Sequence, residues 1–205
     1  TLGAEWIELD VWLSADRVLT VHHDLHLKSG ESIINAKYSS FPDDVPPLLD
    51  VLISTENVGV NVEVKTQNSL ILDDTTRRLI DELTQFLENI GESREILVSS
   101  FNFQCLSYLR EKSPDTPAGL LVWELNNDWE SLIKEVANSD FQAIHPSNAI
   151  TSREFVAACK KKEIDVNVWT VNDEDRMGEL IDFGVDGIIT DFPDVALEVV
   201  ANRDG

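Results

Sequence analysis

The chain has 205 residues and 42% hydrophobic content, enough for one sizeable core, and a single domain over 1–205 is expected. Its 38 acidic residues against 16 basic ones give a formal charge of −22, which argues against nucleic acid and anionic membrane as partners, since both are held through clustered Lys and Arg. No run approaches the roughly 18 apolar residues of a membrane span, so no stable membrane insertion is expected.

Short apolar strand candidates alternate with amphipathic helix candidates. The strands are "WIELDV" (6–11), "VNVEVK" (60–65), "EILVSSF" (95–101), "AGLLVW" (118–123), "FQAIHP" (141–146), "VNVWTV" (166–171) and "DGIITD" (186–191). "VLTVHHD" (18–24) reads as an extra strand after the "SADR" turn, and Lys28 to Pro47 as a polar loop with a small excursion. Leu72, Leu79, Ile80, Leu83, Phe86, Leu87 and Ile90 recur at helical spacing before a Gly91 stop. Thr151 with Glu154 forms a capping-box pattern, and Asn172–Asp173 opens a helix that Gly184 closes. Cys105 and Cys159 each fall within a helix candidate and form no CxxC, so they read as core residues. No signal-peptide pattern is present, which points to the cytoplasm. The chain opens with Thr rather than Met, so secretion stays open.

Strands alternating with helices imply right-handed βαβ units and a parallel sheet. Seven such strands are one short of a closed (β/α)8 barrel. "TLGAEW" resembles the end of a helix, a Gly stop and a new strand. The expected fold is therefore an α/β TIM barrel whose first strand and helix, about thirty residues, lie outside this sequence.

Residues two apart on a strand share a face. Ile7, Leu9 and Val11 face one way, towards helices, while Glu8 and Asp10 face the barrel interior. Val62 and Val64 alternate with Asn61, Glu63 and Lys65 in the same manner. Bare buried carboxylates cost several kcal/mol each unless paired or metal-bound. Glu8, Asp10 and Glu63 together suit a hard divalent cation, Mg²⁺ or Ca²⁺; the rival reading is a structural Lys65–Glu63–Asp10 ion-pair cluster. His23 is a candidate acid or base, with His22 on the alternate face. His145 is weighed as a rim contact or, more simply, a hydrogen-bonded structural histidine. Ser99 and Ser100 lack a nucleophile elbow. Asp186 and Asp191 are expected to bind backbone amides.

"GAEWIELDVWLSADRVLTVHHDLHL" resembles the glycerophosphodiester phosphodiesterase family, and "PPLLDVL", "VNVEVK", "SSF", "VNVWTVN" and "GVDGIITD" continue the match in order from about Gly3 to Pro193. The resemblance implies a TIM barrel that hydrolyses a small-molecule glycerophosphodiester to glycerol 3-phosphate and an alcohol, in lipid and glycerol metabolism. It implies Glu8, Asp10 and Glu63 as ligands of one divalent cation, Mg²⁺ or Ca²⁺. His23 would be one of two acid/base histidines, Lys65 a catalytic phosphate-holding group, and Trp169 a substrate-binding surface for glycerol. The family's His-Arg-Gly and Glu-Asn-Thr motifs do not occur in these residues, and the usual arginine after H-D-x-x-L is replaced by Lys28 and Ser29. Two other readings remain: a non-catalytic metal- or phosphodiester-binding relative, and a Schiff-base enzyme using Lys65. The latter is disfavoured because neighbouring carboxylates raise a lysine pKa. Alcohol specificity and oligomeric state are not legible.

Overall fold

The structure is a computed structural model and describes residues 2–90, 94–125 and 128–203. It comprises two compact units, Trp6–Thr116 and a second made of residues 1–5 with 117–205.

In the first unit, β1 (Trp6–Leu13) and β2 (Leu19–Val21) form an antiparallel hairpin in which Val11 faces Val21 and Leu13 faces Leu19. The turn is fixed by Ser14, whose hydroxyl accepts from Val18 N at 2.9 Å and donates to Asp16 at 2.8 Å. The strand expected over 18–24 is thus cut to three residues. The Val21 N–H goes to Pro46 O, and the His22 ring meets the Asp24 carbonyl at 2.7 Å, so the chain curls away instead of extending.

The following segment has two 3-10 turns, Ile33–Asn35 and Tyr38–Ser40. Its apolar residues Leu27, Ile33 and Val45 close with Trp12 into a satellite core, so the polar-looking excursion is anchored by burial.

Next come α1 (Leu48–Ser54), β3 (Gly59–Val64), α2 (Asp74–Ile90), β4 (Ile96–Ser100) and α3 (Phe103–Lys112). β3 runs parallel to β1 with Glu8 beside Asn61 and Asp10 beside Glu63, and β4 parallel to β3 with Glu63 beside Ser99. Among the described residues of this unit, Trp6–Val11 pairs with β3 and Val11–Leu13 with β2. Leu79, Ile80 and Leu83 are buried at the spacing expected. Leu72 falls before the helix, because Asp73 Oδ1 accepts from Thr76 N at 2.7 Å and starts α2 at Asp74. The Gly91 stop lies outside the described residues. Arg94 pins the end of α1, donating to the carbonyls of Leu52, Thr55 and Val58.

The second unit continues with β5 (Ala118–Val122), α4 (Trp129–Asn138), β6 (Ala143–Pro146), α5 (Arg153–Lys160), β7 (Asp165–Val168), α6 (Glu174–Phe183), β8 (Gly187–Ile188) and α7 (Pro193–Ala201). Its strands are parallel, with Gly119 beside Ala143, Ile144 beside Val166 and Val168 beside Ile188. Each strand thus returns by a helix, as the alternating pattern predicted.

Asp173 caps α6 by accepting from Arg176 N, and Gly184 ends that helix at φ 85°, both as expected. The cap of α5 is not Thr151 but Ser152, whose hydroxyl accepts from Phe155 N at 3.2 Å. Thr151 is drawn elsewhere, its hydroxyl donating to Ser147 O at 2.9 Å. Cys105 in α3 and Cys159 in α5 are both buried free thiols.

His145 on β6 is fully buried, with Nε2 3.1 Å from Asn167 Nδ2. Gly119 makes room for it: a Cβ there would stand 2.6 Å from Nε2. This is the structural histidine expected. Burial pushes its pKa from 6.5 down to about 4. A depressed histidine contributes stability that is full above the unfolded pKa and lost as pH falls, because only the unfolded chain takes up the proton in that window. Between pH 7 and pH 4 wild type should lose about 3 kcal/mol more than His145→Gln. Denaturant melts of the two proteins at several pH values would check this; parallel losses would remove His145 from the acid response.

Candidate active site

Strand alternation on β1 and β3 gathers Glu8, Asp10 and Glu63 on one face, opposite Leu9, Val62 and Val64. One carboxylate oxygen from each of the three lies within 4.8 Å of the others. Lys65, just past β3, places Nζ 2.9 Å from Glu63 Oε1 and 3.3 Å from Asp10 Oδ1. The four residues grouped from sequence therefore meet in space, and the ion-pair cluster considered there is present as well.

Their electrostatics show a site short of positive charge. Burial, then the charges of Asp10 and Glu63, push the Glu8 carboxyl up to about 8, although part of the residue reaches solvent. Glu63, 8% exposed, is also raised, first by burial, with Lys65 opposing. Burial would lower the Lys65 ammonium, but hydrogen bonds and charge from Glu63 and Asp10 outweigh it and hold the pKa above its ordinary value. A lysine held charged in this way is a poor Schiff-base nucleophile. Three carboxylates against one ammonium leave an excess of two negative charges when all are ionised. An oxygen-only donor set of this kind fits Mg²⁺ or Ca²⁺.

His23 lies beyond β2 and is exposed, with Nδ1 2.8 Å from Asp24 Oδ1. Because both His22 and His23 follow the shortened strand, alternation along it does not decide which ring faces the carboxylates. What ties this turn to the cluster is backbone and charge. His22 N donates to Asp10 O at 3.0 Å, and the Asp24 carboxyl is held low first by His23 and further by Lys65.

Trp169 belongs to the second unit, half-buried after β7, its indole donating to His145 O at 2.6 Å. Its ring lies 5.2 Å from that of Trp123, which is 63% exposed at the end of β5. Trp123 was not singled out from sequence, and nothing in the local pattern marks it. Asp186 accepts from Val166 N at 2.8 Å as expected, whereas Asp191 takes the side-chain amide of Asn172 at 2.7 Å instead of a backbone N–H. Ser100 donates to Val64 O at 2.8 Å, a structural bond.

The fold is that of the α/β TIM barrels, a class whose functional groups gather at the C-terminal ends of the strands. A solved glycerophosphodiester phosphodiesterase from Parabacteroides distasonis superposes with a TM-score of 0.86 at 25% identity, covering 100% of this chain and 87% of that one. A phosphodiesterase from Oleispira antarctica, solved in complex with the product sn-glycerol-3-phosphate, gives 0.86 at 21% identity, over 98% of this chain and 86% of that one. A curated glycerophosphodiester phosphodiesterase of Caldanaerobacter subterraneus subsp. tengcongensis is 29% identical over 97% of this chain and 87% of its own length. The model of the glycerophosphoryl diester phosphodiesterase family matches residues 26–195. The chain belongs to that family, a group of phosphoric diester hydrolases.

Proposed function

We propose that this chain hydrolyses glycerophosphodiesters to glycerol 3-phosphate and an alcohol, with one divalent cation, Mg²⁺ or Ca²⁺, held by Glu8, Asp10 and Glu63. The observation that carries the reading is the convergence of those three carboxylates with Lys65 on one face of two adjacent parallel strands. Family membership and the product-bound relative support the substrate class.

The cation would neutralise phosphate charge and polarise a phosphoryl oxygen. Lys65 would hold a second phosphate oxygen as a point charge, exchanging its contacts with Glu63 and Asp10 for the substrate. His23 would transfer a proton in the step where the glycerol 2-hydroxyl attacks phosphorus or in the water step that opens the cyclic ester. Asp24 fixes His23 Nδ1 and so leaves Nε2 for that exchange. The family motif implies a second acid/base histidine, and that role is not given to His22, His26 or His145. Trp169 would pack against the glycerol carbons.

Release of glycerol 3-phosphate from glycerophosphocholine tests the reading, measured before and after chelation and again with Mg²⁺ or Ca²⁺ restored. Turnover should disappear with the chelator and return with the ion. Full turnover in chelator would remove the cation from the account.

A further inference from the structure

Level with the carboxylates, the same face of the sheet carries two polar side chains that the mechanism above does not use. The ladder places Asn61 beside Glu8, and Ser99 beside Glu63, which itself stands beside Asp10. Neighbours in register on parallel strands point to the same side, so Asn61 and Ser99 belong to the carboxylate face. Asn61 is 7% exposed and Ser99 fully buried. Neither the amide oxygen nor the amide nitrogen of Asn61 has a hydrogen-bond partner, and neither does the Ser99 hydroxyl.

Such groups are uncommon inside proteins, because a buried polar atom without a partner has lost water and gained nothing. The adjacent positions show that the chain has ordinary solutions available. Val60, Val62, Val64 and Val98 fill the other face, and Ser100, one residue on, finds Val64 O. Positions needed only for packing would carry small apolar residues.

We propose that Asn61 and Ser99 are positioning residues for the cation site, holding Glu8 and Glu63 in ligating orientation and fixing a water of the cation's coordination shell. The proposal rests on the reading of Glu8, Asp10 and Glu63 as ligands. The chemistry matches the groups: the hydroxyl and the amide N–H donate to carboxylate oxygens, while the amide oxygen accepts from a cation-bound water. Mg²⁺ in particular retains several waters, which need acceptors around them. With Lys65 paired to both Glu63 and Asp10, these carboxylates already have a cationic partner. Once Lys65 exchanges those contacts for the phosphate, Asn61 and Ser99 keep the ligands oriented. Partners of this kind typically change metal affinity 10- to 100-fold.

The test uses the whole chain and two near-isosteric variants, Ser99→Ala and Asn61→Leu. Mg²⁺ and Ca²⁺ affinities are measured by titration calorimetry, and melting temperatures with and without ion. Each variant should bind the ion about 10-fold more weakly, while its ion-free melting temperature equals or exceeds that of wild type, since an unpartnered polar group has been removed. Ser99→Thr, which restores the hydroxyl, should recover affinity. An unchanged affinity in both variants overturns the proposal while leaving the ligand assignment standing. So does a fall in ion-free stability or a failure of Asn61→Leu to fold, because a packing role would then explain both residues. Absence of ion binding in wild type would instead overturn the ligand assignment itself.

Discussion

Replacing Glu63 by Gln should abolish the rise in thermal stability that Mg²⁺ or Ca²⁺ gives the wild-type chain. A ligand at 100 times its dissociation constant stabilises the folded state by about 2.7 kcal/mol. For a chain of this length that corresponds to a rise of roughly 5–10 °C. Glu63 is the most buried of the three acids and the one bonded most closely by Lys65, so its charge is the least screened. Gln keeps the volume but removes the anionic ligand. The ion-free variant should fold, because Lys65 retains Asp10 at 3.3 Å and the crowding that raises the Glu8 pKa is relieved. Melting curves with and without ion decide the matter. An undiminished shift in Glu63→Gln would place the cation elsewhere.

His23→Ala should reduce turnover by about 10²–10⁴, the usual range for a proton-transfer group, with the ion-induced melting shift intact. His22→Ala should remain near wild type. The distinction rests on Asp24, whose carboxylate holds His23 Nδ1 at 2.8 Å while its backbone carbonyl occupies the His22 ring. Steady-state rates on glycerophosphocholine compare the two. The opposite order of effects would move the acid/base role to His22.

Much of the candidate site was legible because it depends on short-range rules. Alternation along a strand is enough to put Glu8 and Asp10 on one side and Leu9 on the other, and the same rule works for Asn61 and Glu63. What alternation cannot supply is register. That Asp10 stands beside Glu63, and Glu63 beside Ser99, follows only from the pairing of β1, β3 and β4. Ser99 was therefore dismissed as a nucleophile without its neighbours being visible. The face assignment of the two histidines loses its basis for a related reason: it presumed that β2 continued through them, whereas the strand ends at Val21. Competing hydrogen bonds account for the local misses. Ser152, not Thr151, caps α5 because the Thr151 hydroxyl is engaged by Ser147 O. Trp123 was invisible, since its exposure and its contact with Trp169 depend on where two distant strands end.

The two buried cysteines give the molecule a built-in pair of chemical stopwatches. Burial pushes both thiols up to about 12, so in the folded chain near neutral pH almost no reactive thiolate is present. An alkylating reagent thus marks moments of opening rather than exposed surface, by the same logic as amide exchange. Cys105 sits in the unit that carries the carboxylates and Cys159 in the unit that carries Trp169. Peptide-resolved labelling consequently times the opening of each unit separately, without any engineered probe, and the effect of added ion on each clock says which unit the ion steadies.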